Sequence, residues 1–176
     1  SEENKTHLNL YSDRSYYYIN VDGEDGKRMQ TIFQPSGNST LSVNSFDDYQ
    51  FHEIDLNNIG RLGRVWFGES FGLEEEQEFS FNFPNLTPSA QAAIKIHVGG
   101  NSFVTTKFTP SINGQAQTDL NLAIVTLNSS LVASDATRTY TLPATSTISV
   151  KLNFDNGGVP TSKGYLDYIS VKTKSN

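Results

Sequence analysis

The feature that most constrains the fold of this chain is a strict alternation of apolar and polar residues in several short segments. It is clearest between residues 148 and 154, where every second residue is apolar. Segments 78–83 and 93–98 repeat the pattern, with apolar side chains on one face and polar side chains on the other. Because successive side chains of a β-strand point to opposite sides, this period of two predicts strands with one buried face.

Turn residues separate the predicted strands at short intervals. Turn signals follow three of them, at 84–85, 99–101 and 155–158. Further strands are predicted at 41–51, 103–108, 120–127, 139–142 and 165–171, and helical turns only near 88–92 and 134–137. Short strands divided by turns roughly every 8–12 residues are typical of an antiparallel sandwich. We therefore predict an all-β fold, an antiparallel β-sandwich resembling a jelly roll.

The chain is predicted to divide near residue 70. Residues 1–70 are expected to hold a β-hairpin and a connecting segment from a preceding β-region, and residues 71–176 the β-sandwich accessory domain. The strands of the hairpin are expected at 16–21 and 27–33, on either side of two Asp-Gly pairs. The N-terminal part has fewer large apolar residues, so we expect its stability to depend on packing against the sandwich or a neighbouring domain.

Composition excludes several classes of function. The 176 residues include no cysteine, which removes disulfides, thiolate metal ligands and a cysteine nucleophile. The net charge is −6 at pH 7 without clusters of Lys and Arg, which argues against nucleic acid and anionic membranes as partners. No run of about 18 apolar residues occurs, so no membrane-spanning helix is predicted. The chain opens at Ser1 without a signal peptide, which indicates a processed protein or an excised piece.

No catalytic residue is predicted. His97 is expected to be an exposed residue on the polar face of a strand rather than a catalytic base, and His52 is expected to pair locally with Glu53. The carboxylates at 74–78 are groups that could hydrolyse a glycosidic bond, but a run of adjacent acids is typical of a solvated loop. The sequence contains neither a Gly-x-Ser-x-Gly elbow nor a nucleotide-binding loop.

No cofactor is expected, and structural calcium is left open. Calcium prefers carboxylate, amide and carbonyl oxygens as ligands. Asp155 and Asn156 are the candidate calcium ligands, although no EF-hand spacing surrounds them.

Two segments carry the candidates for structural or interaction roles, which are Arg64, Trp66, Glu69, Asp167 and Tyr168. In segment 63–71, Arg64 and Glu69 flank the only tryptophan, which predicts a partly buried ion pair that holds a chain crossover. In segment 164–171, both faces carry apolar groups, which predicts a central or bulged strand. Asp167 in its middle requires a hydrogen-bonding partner, for which a loop N–H or Arg64 is a candidate.

These segments together resemble the domain that precedes the catalytic domain in the sortase-like cysteine peptidase of the Bacteroidetes type IX (Por) secretion system, a member of the gingipain-type family. The order and spacing agree over nearly the whole chain, and no single tract is decisive. The matching tracts are Asn9–Asp13 running into Ser15–Tyr18, His52 and Glu53 with Asp55 and Asn58, Gly63–Glu69, Phe79–Phe81 with Phe83–Leu86, and Leu166–Ile169.

The resemblance implies a parent protein that is exported and acts at the cell surface or outer membrane, or in the periplasm, where the family processes C-terminal sorting signals of secreted cargo. The family's catalytic His and Cys lie in a caspase-like domain that would follow Asn176, and none is carried over to this chain. A non-catalytic accessory or interaction domain remains. Its expected partner is the downstream peptidase domain of the same chain. Cargo C-terminal domains or secretion components are further candidate partners, and neither nucleic acid nor membrane insertion is expected.

The alternative is a carbohydrate-binding jelly-roll module of a secreted bacterial glycosidase. Tyr16, Tyr17, Tyr18 and Trp66 are candidates for a platform on which a sugar stacks. This alternative predicts exposed coplanar aromatic rings and a calcium site, whereas the accessory domain predicts that Trp66 and most tyrosines are buried. An enzyme in its own right is the third hypothesis and has the least support.

Overall fold

The structure is a computed structural model that describes residues 16–19, 21, 23, 25–33, 36–37, 41–59, 65–127 and 131–176. The chain divides into two units, Ser1–Val43 and Asn44–Asn176. All strands of the described residues lie in the second unit. They are β1 (Phe46–Glu53), β2 (Ser70–Phe71), β3 (Glu76–Asn82), β4 (Gln91–Asn101), β5 (Thr106–Ile112), β6 (Gln115–Ala116), β7 (Leu120–Leu122), β8 (Ser134–Pro143), β9 (Thr147–Asp155) and β10 (Lys163–Ser175).

The strands form two antiparallel sheets. The first sheet has the order β1-β10-β4-β8, and β2 pairs with β10 on the same edge as β1. The second sheet has the order β3-β9-β5-β6, and β7 pairs with β5. The predicted antiparallel β-sandwich is therefore confirmed. Within the described residues, no helix is both long enough and apolar enough to cross a bilayer.

The predicted alternation places apolar side chains between the two sheets. Every second side chain is buried in β4 from Ile94 to Val98 and in β9 from Ile148 to Phe154. The other strands contribute their inward residues to the same core. Its further large members are Phe71, Phe81, Phe83, Phe108, Ile112, Leu120, Leu122, Tyr140, Leu166, Ile169 and Val171.

The N-terminal hairpin predicted at 16–21 and 27–33 lies partly outside the described residues and stays a prediction. The described residues of these segments contain no strand, and their large apolar side chains are exposed from Tyr16 to Phe33.

Tertiary pairing changes the bounds of several predicted strands. β1 comes from before residue 70, yet it pairs with β10 along its whole length, so that part of the chain supplies a strand of the sandwich. Residue 70 stays a prediction as a domain boundary. The predicted helical turn at 134–137 is the beginning of β8, because β4 offers it a full ladder of hydrogen bonds that outweighs weak local preference.

Gly164 of β10 allows two aromatic rings of the second sheet to pack directly on the backbone of the first. A Cβ at this position would lie 2.5 Å from Phe108 Cζ and 2.6 Å from Phe154 Cδ2. Both rings are buried, and their centroids are 4.9 Å apart. The spacing of the two sheets at this point therefore depends on the absence of a side chain at Gly164.

We expect Gly164→Ala to lower the free energy of unfolding by about 1–3 kcal/mol, because the added methyl group displaces two packed rings. Urea unfolding of the 176-residue chain measures the change. Gly72→Ala is the matched control, since a Cβ there meets nothing closer than 3.8 Å. The control is expected to stay within about 0.5 kcal/mol of the parent. Equal losses in the two variants would contradict the role given to Gly164.

Candidate functional site

Two separate segments of the chain share one edge of β10. β1 pairs with residues 168–175, and β2 pairs with residues 164–165. Between these two strands, Gly68 N donates a hydrogen bond to Leu166 O at 2.6 Å. Asp167 lies at the junction, where the register of β10 against β4 shifts. The prediction of a central or bulged strand is confirmed, because β10 is both central and bulged.

The junction leaves no space for a side chain at Gly68. A Cβ there would lie 2.8 Å from Ile54 O and 3.4 Å from Leu166 O. The backbone of Ile54, just after β1, therefore lies against Gly68, shortly before β2. An isolated bridge lies next to this contact, in which Asn57 N donates to Phe67 O at 2.7 Å and Phe67 N donates to Asn57 O at 2.8 Å.

His97 of β4 connects three strands of the first sheet through its two ring nitrogens. Nδ1 lies 2.5 Å from Asp167 Oδ2 in β10, and Nε2 lies 3.1 Å from Asp135 Oδ2 in β8. The side chains of His97 and Asp167 are only 17% and 14% exposed. The prediction that His97 is exposed is wrong, because side chains of the neighbouring strands cover it. His97, Asp135 and Asp167 are called the His97 clamp below.

The surroundings of His97 favour its charged form. Carboxylates only accept hydrogen bonds, so a doubly protonated ring satisfies both contacts. Burial alone would lower the pKa of His97, but the hydrogen bonds and negative charges of Asp167 and Asp135 outweigh it and raise the pKa. Among the described residues, the ring nitrogens contact carboxylates rather than a hydroxyl. The clamp therefore has the chemistry of a structural ion pair and not that of a general base acting on a nucleophile.

Further carboxyl groups lie near the clamp, at the end of β1. Burial raises the pKa of Glu53, with repulsion from Asp167 and Asp55 as further causes. Burial and repulsion from Asp167 also raise the pKa of Asp55. The charge on His97 thus offsets part of a local excess of negative charge.

Phe67 covers the outer face of the first sheet beside the His97 clamp. Its ring lies over Gly99 of β4, where a Cβ would be 2.5 Å from Phe67 Cε1. The ring is buried, and its centroid lies 6.3 Å from that of His97 and 6.1 Å from that of Tyr165. The Tyr168 ring adds a further contact, 5.5 Å from the His97 ring. These rings keep water away from one side of the clamp.

His52 and Glu69 connect β1 to the residue that precedes β2. His52 Nε2 lies 2.7 Å from Glu69 Oε1, and the His52 ring packs on Phe79 of the second sheet with centroids 4.8 Å apart. The predicted pair of His52 with Glu53 is wrong, because adjacent residues of a strand point to opposite faces. Glu69 Oε2 is buried, and no described residue gives it a hydrogen bond.

The structure brings three of the five predicted candidates together. Glu69, Asp167 and Tyr168 all lie around the junction on β10. Trp66 is 38% exposed, so the expectation that it is buried is wrong; its neighbour Phe67 takes the buried position instead. Arg64 lies outside the described residues, and its ion pair with Glu69 stays a prediction.

The sequence held one usable signal for the clamp. Asp167 in the middle of a strand required a partner, and His97 lies on the polar face of another predicted strand. The two residues are 70 positions apart, so their contact follows only from the pairing of β4 with β10. Nothing in the local sequence indicates that the partner of Asp167 is His97 rather than a loop N–H or an arginine.

Asp155 and Asn156, the candidate calcium ligands, form the turn after β9. Asp155 Oδ1 accepts a hydrogen bond from Gly157 N at 3.0 Å, and Asn156 Oδ1 accepts one from Gly158 N at 2.9 Å. Both glycines have a positive φ, 66° and 77°, which favours glycine in this turn. Throughout the described ranges, no three His, Asp or Glu side chains are placed to hold a metal ion.

Two aromatic side chains stand on the outer face of β1, an edge strand of the first sheet. Tyr49 and Phe51 are 50% and 54% exposed. Their ring centroids are 6.0 Å apart, and their planes are inclined by 33°. The rings are tilted rather than coplanar. Tyr49 and Phe51 are called the aromatic pair below.

A cavity of about 300 Å³ opens where β4 ends and β10 begins. Most of its lining is polar, and no carboxylate of the described residues contributes to it. The side chains that matter for its chemistry are those of Asn57, Asn101, Thr161, Lys163 and Tyr165. This site is called the polar cavity below.

The two sheets define this part of the chain as an antiparallel β-sandwich domain. No protein-family model matches the sequence, and no curated protein sequence matches it either. Among solved structures, it is similar to dimeric latent PorU from Porphyromonas gingivalis, with a TM-score of 0.61 and 19% sequence identity. The match covers 76% of this chain but only 13% of the PorU chain. The similarity therefore shows that this chain shares the fold of a small part of PorU.

Two carbohydrate-binding modules are also similar, at lower scores. The CBM36 module in complex with calcium and xylotriose has a TM-score of 0.40 and 16% identity, over 72% of this chain and 98% of that module. A family 35 module from Clostridium thermocellum has a TM-score of 0.39 and 10% identity, over 73% of this chain and 91% of that module.

The His97 clamp predicts a pH dependence of stability. The folded pKa of His97 is raised above its ordinary value of 6.5, so the stabilisation is complete below pH 6.5 and is lost as the pH rises through the folded pKa. The pKa values of Glu53 and Asp55 are raised as well, and His97→Gln keeps both carboxyl groups, so this variant isolates the contribution of His97. We expect urea unfolding between pH 6 and pH 9 to show a fall in stability that is absent from His97→Gln. A folded pKa of His97 below 6.5, measured by NMR, would contradict the prediction.

The two carboxylates of the clamp are expected to contribute unequally to the free energy of unfolding. His97→Gln and Asp167→Asn are each expected to cost about 1.5–3 kcal/mol at pH 6, because each breaks a shielded, charge-assisted hydrogen bond. Asp135 is 69% exposed, so Asp135→Asn is the matched control and is expected to cost less than about 1 kcal/mol. A larger loss for Asp135→Asn than for Asp167→Asn would show that the clamp is not centred on Asp167.

Proposed function

We propose that this chain is a non-catalytic accessory domain of an exported, secretion-associated cysteine peptidase of the gingipain type, and that it orients the peptidase domain of the same protein. The fold shared with a part of PorU, a sortase-like peptidase of type IX secretion, supports the proposal. So do the sequence tracts that resemble this family. In the proposal, the whole protein acts at the cell surface or outer membrane and processes the C-terminal sorting signals of its cargo.

The aromatic pair on β1 is the observation that carries the proposal. Half-exposed Tyr49 and Phe51 lie on the outer face of an edge strand, beside an ion pair between Lys172 and Asp47 of 3.0 Å. Aromatic side chains are enriched in protein interfaces, and such interfaces have a polar rim. Edge strands also offer unpaired backbone groups to a neighbouring chain. The surface around the aromatic pair therefore has the composition of a docking surface for another domain.

Within the proposal, the side chains of this domain explain why the catalytic step is assigned to another domain. The chain has no cysteine, so the nucleophile of a cysteine peptidase must come from another domain. Both nitrogens of His97 are engaged by carboxylates, and His52 is engaged by Glu69. The domain then acts by position rather than by chemistry.

The first test is the sequence of the same protein on the C-terminal side of Asn176. The proposal expects a caspase-like peptidase domain there, in which a catalytic His is followed by a Cys. A glycosidase domain in that position would overturn the proposal and support the carbohydrate-binding alternative.

The second test is binding of that peptidase domain to the 176-residue chain. We expect Tyr49→Ser combined with Phe51→Ser to weaken binding at least about tenfold, because truncated interface aromatics cost roughly 1.4 kcal/mol or more. Calorimetric titration measures the affinity. Thr139→Ser with Thr141→Ser, on the opposite edge strand β8, is the matched control and is expected to bind as the parent does. Unchanged binding in the aromatic variant would show that the aromatic pair is not the docking surface.

Contact with cargo C-terminal domains or with other secretion components is a further part of the proposal. It uses the same aromatic pair, so a cargo domain that competes with the peptidase domain for this chain would support it. Simultaneous binding of both would assign them to different surfaces.

The second candidate function is carbohydrate binding, as in a module of a secreted bacterial glycosidase. The polar cavity is the observation that favours it, because a concave site with a few fixed polar groups is typical of a small-ligand site. The aromatic pair does not favour it, since the two planes are inclined by 33° and form no flat platform.

Structural calcium at Asp155 and Asn156 stays a prediction and accompanies this second function. Binding to the folded state alone would raise the melting temperature. Thermal unfolding in calcium chloride and in EDTA tests it: a higher melting temperature with calcium, lost in Asp155→Asn, supports the site. Equal melting temperatures in the two buffers would contradict it.

A further inference from the structure

Two asparagine side chains are held in the polar cavity by their nitrogen atoms. Asn57 Nδ2 donates to Gly68 O at 2.7 Å, and Asn101 Nδ2 donates to Val132 O at 2.7 Å. A backbone carbonyl only accepts, so these contacts identify which end of each amide is the oxygen. No described residue donates to either Oδ1. Both residues line the cavity, so their amide oxygens are the two candidate acceptors for a ligand.

Lys163 supplies a positive charge that no described residue neutralises. Lys107, Lys151 and Lys172 each form an ion pair of 2.8–3.0 Å, whereas Lys163 forms none in the described part of the chain. The net charge of the protein is −6, and yet no described carboxylate lines this cavity. An anionic group is the ligand chemistry that an ammonium at this position attracts.

Tyr165 forms a wall of the cavity and has a fixed position. Its ring packs against the buried ring of Phe67, with centroids 6.1 Å apart. Burial raises the pKa of Tyr165, so its hydroxyl stays protonated and able to donate a hydrogen bond. Tyr165 thus brings an aromatic ring and a hydroxyl donor to the lining, and Thr161 brings a second hydroxyl.

These groups together select one class of ligand. Phosphate and simple carboxylates carry mainly acceptors, so they would meet the two Asn oxygens without donating to them. A ligand with several hydroxyls supplies those donors, and a carboxylate on it pairs with Lys163. The cavity volume of about 300 Å³ is at the lower end of the roughly 300–1,000 Å³ usual for small-molecule sites, which suits a single sugar unit.

We propose that the polar cavity binds one carboxylated sugar unit, with hydroxyls on Asn57 and Asn101 and the carboxylate on Lys163. The site lies at the ends of β4 and β10, away from the aromatic pair at the middle of β1. The proposal does not rest on the accessory role, and it gives the carbohydrate-binding function a definite ligand. Failure of the peptidase-binding test leaves it intact, and its own failure leaves that test intact.

The experiment is a titration of the 176-residue chain with D-glucuronate, D-glucose and acetate, followed by NMR of the backbone amides. Glucuronate is expected to shift the amides of Asn101 and Tyr165 with a dissociation constant on the order of 1 mM. Glucose lacks the anion and is expected to bind about tenfold more weakly, and acetate lacks the hydroxyls and is expected to cause no saturable shift at these amides. A comparison of D-galacturonate with trigalacturonate separates two sources of the ligand: trimer binding at least as tight as that of galacturonate indicates a polysaccharide unit, and weaker binding of the trimer indicates a free sugar acid.

The variant that tests the charge is Lys163→Gln. It is expected to reduce glucuronate affinity about tenfold, to the level of glucose, while glucose affinity stays unchanged. Lys174→Gln is the matched control, because Lys174 lies in the same strand at the far end from the cavity and pairs with Asp47. Both side chains are exposed, so neither variant is expected to unfold the domain, and circular dichroism checks this.

Four results would overturn the proposal. They are no shift at the cavity amides up to about 20 mM glucuronate, equal affinity for glucuronate and acetate, equal losses in Lys163→Gln and Lys174→Gln, and tighter binding of a short peptide through its C-terminal carboxylate than of glucuronate.

Discussion

The hydrogen bond between His97 and Asp167 is the interaction on which the arrangement of the first sheet depends. The bulge at Asp167 is the place where β1 stops pairing with β10 and the segment leading into β2 begins. The bulge directs the Asp167 carboxylate toward the packed outer face of the sheet. Leaving that carboxylate without a hydrogen-bonding partner would cost on the order of 1–3 kcal/mol. His97 provides the partner from β4 and reaches β8 with its other nitrogen. One side chain thus stabilises the bulge and connects it to the two strands beyond.

At β1, side chains connect the edge of the first sheet to the second sheet. Gln50 Nε2 donates to Asn82 O at 2.5 Å, and Asn82 N donates to Gln50 Oε1 at 3.3 Å, so a side-chain amide pairs with the backbone of the second sheet. His52 adds the contact between its ring and Phe79. The inward side chains of β1 connect the two sheets, whereas its outward side chains include the aromatic pair. Because side chains alternate along a strand, one face of β1 serves packing and the other is available for binding.

The alternation of apolar residues was sufficient to predict the sandwich, because burial between two sheets imposes a period of two that is visible in β4 and β9 without further information. It was also sufficient to predict that β10 is central or bulged, from apolar groups on both of its faces. It did not identify the partner of Asp167, since 70 residues separate it from His97. The polar cavity could not be predicted either, because its walls come from the 57–59 segment and from the ends of two strands that only the folded topology brings together. The hairpin at 16–33 stays a prediction from local turn signals, and its described apolar side chains are exposed.

The clamp and the polar cavity are connected through Phe67, and this links stability to binding. The ring of Phe67 packs against the rings of both His97 and Tyr165. Asn57, which lines the cavity, is bridged to Phe67 through the backbone and holds Gly68 O with its side chain. Phe67, which covers one side of the clamp, is therefore joined both to Asn57, the candidate acceptor, and to Tyr165, the ring that lines the cavity. A loosening of the segment around Phe67, whether from neutralising His97 or from crowding at Gly99 or Gly68, would disturb the clamp and the cavity together, because packed side chains transmit displacement to their neighbours.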